Sequence, residues 1–312
     1  MFKRFALAES TKSTYRSQLN AFLRFCLFYG QTPLPASQDT LKCYIVFLAR
    51  SLNPSSLAGY LNVVRIMHVN EGYYNPLKDN FEISMIKRGI TRQLGRPPMQ
   101  KLPLTLEILK GIYGLLDLSL AGDRAFWAAC MVGFYGLLRK NTLLPVSPKD
   151  SSFSFLLRAD VFGLSRHCFM LKIRKTKTIQ FGQRVLTIPF VSCLDAKVCP
   201  VTAVINHLGA SILPPRSPMF DFLFEDRVLS WTHASFVARL KSCLTDLGHS
   251  ANSYSGHSFR RGGCSFCFEA GLDLTAIKLR GDWKTQAYEK YLHVPASIIL
   301  RSATMLSDFA SK

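Results

Sequence analysis

The 312-residue sequence has no apolar stretch of membrane-spanning length. Its longest uncharged apolar run, Ala125–Leu138, holds 14 residues between Arg124 and Arg139. That is short of the roughly 20 needed to cross a bilayer and suits a buried helix. Acidic residues are scarce, 20 Asp and Glu against 39 Lys and Arg, which leaves a net charge of +19. The excess is shared, with 13 basic against 5 acidic residues over 1–100 and 26 against 15 over 101–312. A basic tail on a neutral enzyme is thereby excluded. Both halves point to one polyanion, with nucleic acid as the first candidate. The first ten residues contain no long apolar core, so a secretory signal is not expected. Nine cysteines, an odd number at irregular spacing, suit a reduced intracellular compartment. Cys264-Ser-Phe-Cys267 is a lone CxxC with no second pair at zinc-ligand spacing, and reads as helix packing.

What is present is ample apolar material, 48% of the chain with 12% aromatic, enough for a packed core. The first hundred residues read as four short helices. Ser13 or Thr14 caps one carrying Leu19, Phe22, Leu23 and Cys26 up to Gly30; a second covers about 40–50 with Leu41, Tyr44, Ile45 and Leu48 inward. A third starts at Pro54, with Leu57, Tyr60, Leu61 and Val64, and a fourth spans about 80–94 before Gly95. The stretch Lys87–Lys101 holds five basic residues, Lys87, Arg88, Arg92, Arg96 and Lys101, and no acid, and Pro97-Pro98 ends any helix there. It reads either as a solvated linker or as a strap that tracks phosphates. The expected boundaries are a helical bundle over 1–95, a basic proline-containing linker over 96–103 and a larger domain over 104–312. In the larger domain, helices are expected at 105–116, 123–138, 200–211, 233–247, 258–270, 273–279, 285–292 and 296–309. Two strands, 168–174 and 183–189, flank a polar turn with Gly182. The fold class is mainly α with one small β-sheet or hairpin.

Four segments place polar groups where core patterning calls for none. Phe134-Tyr-Gly-Leu-Leu-Arg139 ends a buried helix on an arginine, which by itself only complements the helix dipole. Arg174-Lys-Thr-Lys177-Thr-Ile-Gln lies at the hairpin tip, which by itself is a solvated turn. Ser255-Gly-His257-Ser-Phe-Arg260-Arg-Gly-Gly sets His257 and Arg260 one helical turn apart. Gly281-Asp-Trp283-Lys-Thr-Gln-Ala-Tyr288-Glu-Lys-Tyr291-Leu-His293 closes the series.

In this order the segments resemble the tyrosine recombinase (phage integrase) family: an arginine after a buried helix, a hairpin lysine, H-x-x-R, a His or Trp, then a tyrosine. The wording GLLRKNTLLP, KTKTIQFGQR, CPV, GHSFRRGG and GDWKTQAYEKYLH is similar to the eukaryotic mobile-element branch, the DIRS and Crypton types. The resemblance covers nearly the whole chain. It implies an N-terminal four-helix core-binding (SAM-like) bundle and a C-terminal tyrosine recombinase catalytic domain.

The resemblance also implies roles, and each has a physical reason. Arg139 and Arg260 clamp the non-bridging oxygens of a scissile phosphate, because a guanidinium fork is bidentate and permanently charged. His257 exchanges a proton with the nucleophile or hydrogen-bonds the phosphate. Lys177 protonates the departing 5′-oxygen, with Lys175 as the alternative. Trp283 sits where many relatives have histidine, and offers an indole N–H and a buttressing ring. Tyr291 is the nucleophile that forms a 3′-phosphotyrosyl intermediate, preferred over Tyr288 because Tyr-Leu-His matches the family's Tyr-x-His ending. The exchange of one ester for another is nearly isoenergetic, so no cofactor, ATP or metal is called for. The absence of a P-loop and of an acidic metal cluster from the sequence agrees with that. One departure is Thr142, where relatives often carry an acid; Asn141 and Thr142 become the hydrogen-bonding candidates for orienting the site.

The implied partner is double-stranded DNA, clamped between two basic domains, with a synaptic homotetramer built through the tail after His293. That tail reads as a helix with Ile298, Leu300, Met305 and Leu306 exposed unless they pack on their own domain. Two other functions fit parts of the pattern: a domesticated DNA-binding protein with a vestigial site, and a type IB topoisomerase. The eukaryotic mobile-element wording implies a nuclear location, and a cytoplasmic or nucleoid one otherwise.

Overall fold

The computed structural model describes residues 6–97, 100–179, 182–292 and 296–310. The chain divides into two compact units, Met1–Met99 and Gln100–Lys312. The secondary structure is mainly helical with two small antiparallel sheets. Among the described residues no helix is long and apolar enough to cross a membrane.

The first unit is a bundle of α1 (Glu9–Phe28), α2 (Gln38–Ala49), α3 (Pro54–Asn70) and α4 (Phe81–Leu94). Three of the four starts are written in side chains. Ser37 accepts from the Thr40 N–H, Asn53 from Ser55 and Asn80 from Ile83, and Pro54 opens α3 where no donor is needed. The fourth start departs from expectation. α1 begins after Ala8 with no side-chain cap, and Thr14 lies inside the helix, donating to the Ser10 carbonyl at 3.0 Å. Phe22, Leu41, Tyr44, Ile45, Leu57 and Leu61 close the core, with the Phe22 and Tyr44 rings 4.9 Å apart, edge to face. Buried His68 takes the Ala36 N–H on Nε2 at 2.9 Å and faces the Val64 carbonyl through Nδ1 at 2.8 Å. An N–H can only donate and a carbonyl only accept, so the ring is the neutral tautomer protonated on Nδ1.

The second unit is built around α6 (Ala121–Tyr135), which is buried on every side from Ala125 to Phe134. A helix apolar all round belongs in the middle of a domain. α5 (Leu106–Gly114) precedes it and the short α7 (Lys140–Leu143) follows. Beyond lies the sheet β1 (Val161–Phe162), β2 (Cys168–Ile173) and β3 (Leu186–Val191). β2 and β3 pair antiparallel with Phe169 opposite Phe190 and Leu171 opposite Ile188; the two phenyl rings stack at 4.6 Å. The second strand thus starts three residues later than its sequence suggested, because 183–185 belong to the loop. α8 (Pro200–Ala210) leads to a second hairpin, β4 (Asp221–Phe224) and β5 (Arg227–Ser230), which the sequence reading lacks. α9 (His233–Asp246), α10 (Gly256–Glu269), α11 (Leu274–Arg280) and α12 (Ala296–Ala310) complete the unit. The helix expected over 285–292 is a single 3₁₀ stretch, Gln286–Lys290.

α10 packs unusually close to its neighbours because of Gly262 and Gly263. A Cβ on Gly262 would lie 1.9 Å from the Leu104 carbonyl oxygen, and one on Gly263 2.0 Å from that of Phe134. Cys264 and Cys267 are free and buried in the same helix. Residues 101–104 run along this unit: Leu102 donates to Ser253, Leu104 to Ser258, and Lys101 Nζ to the Asn252 carbonyl at 2.6 Å.

Candidate active site

The site begins where α6 stops. Leu137 turns the chain through a left-handed conformation (φ 50°) and is fully buried, so Arg139 emerges at the N-cap of α7 instead of continuing the helix. Such a conformation costs a leucine roughly 1–2 kcal/mol, which its burial offsets. Opposite, Ser255 caps α10 by accepting the His257 N–H at 3.2 Å, and the Ser258 hydroxyl returns to the Ser255 N–H at 3.0 Å. His257 and Arg260 then share one face of the first turn.

Arg260 is the hub. It is 1% exposed. Its Nη1 donates to the Leu137 carbonyl and its Nη2 to the Gly281 carbonyl, the latter at 2.6 Å. The guanidinium carbon lies 3.7 Å from the Trp283 ring centre and 5.3 Å from that of Tyr291. Among the described residues its Nε has no hydrogen-bond partner. Burial, and then the neighbouring Arg139, push its pKa down; Tyr291 and Asp282 act in the opposite sense. Among the described residues this buried guanidinium is hydrogen-bonded to carbonyls and forms no salt bridge, so no carboxylate competes with an anion for its donors. Arg139, Thr142, Thr176, Arg260, Arg280 and Asp282 line a small pocket in front of it. Arg280 donates to the Tyr135 carbonyl at 2.6 Å and to that of Pro189 at 3.1 Å. His257 is held below its ordinary pKa by desolvation first, then by Lys140, Arg260 and Arg139.

The tyrosines differ in their surroundings. Tyr288 is 6% exposed and packs with Leu137, Cys264, Cys267, Ile277 and Trp283. Tyr291 lies at the edge of that cluster, partly buried, its ring 5.4 Å from Trp283. Trp283 is thus wedged between the arginine and the tyrosine, and among the described residues its buried Nε1 has no hydrogen-bond partner. His293 lies outside the described residues.

Lys177 is exposed on the loop joining β2 to β3. Its neighbours Thr176 and Thr178 both donate to the Asp282 carboxylate, which also forms an ion pair with Arg184 on the far arm of the loop. Lys175 turns away and donates to the Ser152 carbonyl at 3.3 Å. Asn141 and Thr142 do not take up the expected orienting part: among the described residues neither side chain bonds Arg139 or His257, and Thr142 is 5% exposed at the pocket wall. The acid that serves this region is Asp282. Asp282, Thr176, Thr178, Arg184 and Arg280 stand outside the residues to which the motifs assign a role. The one signal for them is a single acid amid basic motifs, next to the tryptophan.

Of the predicted DNA-contacting residues, four belong to the first unit. Lys87, Arg88 and Arg92 are on α4, with Arg88 and Arg92 exposed, and Arg96 is exposed beyond its end. Lys101 belongs to the second unit. On α12, Ile299, Leu300, Met305, Leu306 and Phe309 are 61–77% exposed, while the Ile298 side chain lies outside the described residues.

No family model matches the chain. It is 24% identical over 292 residues to a protein of Selenomonas ruminantium named an integrase/recombinase XerD homolog, across 92% of this chain and 81% of that one. Among solved structures, the Tn1549 transposon integrase in complex with transposon right-end DNA is similar over 97% of this chain and 96% of its own (TM-score 0.60, 12% identity). XerH recombinase bound to a palindromic difH substrate is similar over 95% and 79% (TM-score 0.61, 12% identity). Lambda integrase bound as a dimer to a core site is similar over 93% and 91% (TM-score 0.58, 12% identity). These likenesses extend over both units and show a common fold.

Proposed function

We infer that this chain is a tyrosine recombinase of the integrase family, and that it cuts and rejoins duplex DNA through a covalent bond to Tyr291. The observation that carries the reading is the buried Arg260 guanidinium, paired with carbonyls and not carboxylates, with Trp283 on one face and Tyr291 beside it. A buried cation hydrogen-bonded to carbonyls and not to carboxylates is a receptor for a phosphodiester, and the adjacent phenol is a nucleophile in reach of the same group.

In the proposed reaction Arg139 and Arg260 hold the two non-bridging oxygens and stabilise the charge that gathers on them as phosphorus becomes five-coordinate. His257 takes the phenol proton, and its lowered pKa keeps the imidazole neutral and able to do so near pH 7. The Tyr291 oxygen bonds to phosphorus, the bond from phosphorus to the 5′-oxygen breaks, and Lys177 supplies the proton that oxygen needs. Reversal with a second strand's 5′-hydroxyl reseals the backbone and frees the tyrosine. Arg88, Arg92 and Arg96, with Lys87 and Lys101, contribute sequence-independent contacts to phosphates. The likeness to a transposon integrase supports an origin in a mobile element. The apolar face of α12 supports assembly into a homotetramer on DNA.

The test is covalent trapping on nicked duplexes, from a randomised pool and from native flanking DNA, resolved on denaturing gels. An adduct formed by wild type and by Tyr288→Phe but lost in Tyr291→Phe is the expected result. Salt-dependent binding with no adduct from any variant would replace this reading with a DNA-binding protein whose site is vestigial.

A further inference from the structure

We propose that Asp282 is the positioning residue for Lys177, holding the loop between β2 and β3 so that the lysine faces the departing oxygen. This rests on the reading of Lys177 as the general acid. Asp282 is 4% exposed and sits between Gly281, whose carbonyl Arg260 holds, and Trp283, which stacks on Arg260. Its own backbone is left-handed (φ 54°), a conformation that aspartate tolerates better than most side chains, and its carboxylate meets the loop.

There it gathers both arms. Thr176 and Thr178 donate to one oxygen, Oδ2, and Arg184 pairs with the other, Oδ1. The Thr178 hydroxyl is also 3.3 Å from the Asp282 carbonyl, and the two threonine hydroxyls are 2.9 Å apart. Thr176 Oγ1 further accepts the Thr178 and Ile179 N–H groups at 3.1 and 3.0 Å, closing a tight turn around Lys177. The lysine is the residue between the two anchors. Burial opposes the carboxylate's charge, yet the threonine hydrogen bonds and Arg184 hold its pKa below the ordinary value, so the anchor is charged at neutral pH.

An exposed lysine on an untethered loop of a dozen residues would sample many positions. Fixing the turn on either side of it converts a diffusive encounter into a placed proton donor.

The proton step allows a direct test. In the ordinary substrate the P–O5′ bond breaks and Lys177 gives its proton to the 5′-oxygen. In a 5′-bridging phosphorothiolate the P–S bond breaks instead, and the thiolate leaves unprotonated. Asp282→Asn, the Thr176→Val/Thr178→Val pair and Lys177→Ala are compared on both substrates in single-turnover adduct formation. On the ordinary substrate Lys177→Ala loses about 10²–10⁴-fold, the usual range for a general acid. Asp282→Asn and the threonine pair lose part of that range, about 10- to 100-fold. On the phosphorothiolate all three return to within about threefold of wild type.

Loss without rescue in Asp282→Asn, while Lys177→Ala is rescued, overturns the proposal and makes Asp282 a support of the arginine clamp instead. Wild-type rates in Asp282→Asn overturn it as well. If Lys177→Ala is itself not rescued, the general-acid reading fails first, and visibly so. Should Asp282→Asn not fold, as judged by near-UV circular dichroism, the threonine pair decides by the same readout.

Discussion

Replacing Arg260 by lysine separates its two tasks. The guanidinium spans the Leu137 and Gly281 carbonyls and stacks at 3.7 Å on Trp283. An ammonium keeps the charge but has no plane to stack and cannot bridge both carbonyls from one nitrogen. One buried carbonyl therefore loses a charged donor, a loss of about 1.5–3 kcal/mol, and most of the cation–π attraction goes with it. In the transition state proposed above, one phosphate oxygen loses a fixed donor, which for such groups amounts to about 3–4 kcal/mol, or 10²–10³ in rate. All three tryptophans, Trp127, Trp231 and Trp283, lie in the second unit, so their fluorescence in guanidinium chloride reports the stability of that unit alone. Adduct formation on a nicked duplex under saturating protein reports the second quantity. Arg260→Lys is expected to fall in both. A stability loss with an adduct rate within threefold of wild type would reduce Arg260 to a strut and refute the clamp. Unchanged stability would refute the bridging argument.

Three other outcomes follow from geometry and charge. His257 is held below its ordinary pKa, so protonation of the folded protein is disfavoured; adduct formation should persist below pH 6.5 and fall only on further acidification, and that acid limb should vanish in His257→Gln. A limb centred at or above 6.5 would contradict it. Gly263→Ala should destabilise the second unit by more than about 3 kcal/mol, since its Cβ would meet the Phe134 carbonyl at 2.0 Å; an unchanged unfolding midpoint would show that α10 has slack. Asp221 is buried and desolvation raises its pKa to about 6, against the hydrogen bond from Ser230 and the charge of Arg158. A carboxyl whose folded pKa is raised stabilises fully below its unfolded value and less as pH climbs through about 6. Asp221→Asn should therefore gain on wild type at pH 8 and much less at pH 5, and equal differences at the two values would remove the buried charge from the account.

How far the sequence went depends on whether the signal was local. Asn53-Pro54 and Asn80 announce α3 and α4 because cap and proline act on their own neighbours. The start of α1 was missed because Ala8 offers no capping side chain, whereas Ser13 and Thr14, which do, lie inside the helix. The β4–β5 hairpin escaped for a related reason. Its turn is made by Glu225 and Asp226, both left-handed (φ 45° and 59°), where asparagine and glycine would have signalled it. For the candidate site, the ordered motifs named Arg139, Lys177, His257, Arg260, Trp283 and Tyr291 as candidates. They did not give Asp282 its role, since its partners Arg184 and Thr176 lie 98 and 106 residues away. A carboxylate beside a tryptophan carries no mark of the hydroxyls it will meet across such a span.

Arg260 reaches Leu137 across 123 residues, and Arg280 reaches Tyr135 across 145. The tyrosine that completes the arrangement is the 291st of 312 residues. A chain growing from its N-terminus therefore finishes its bundle early, and has most of the second core available, long before its arginines and tyrosine can meet. A cluster distributed in this way is complete only once Tyr291 has been made. A fragment that stops short of Tyr291 keeps the basic charge of both halves without the assembled arginine, tryptophan and tyrosine.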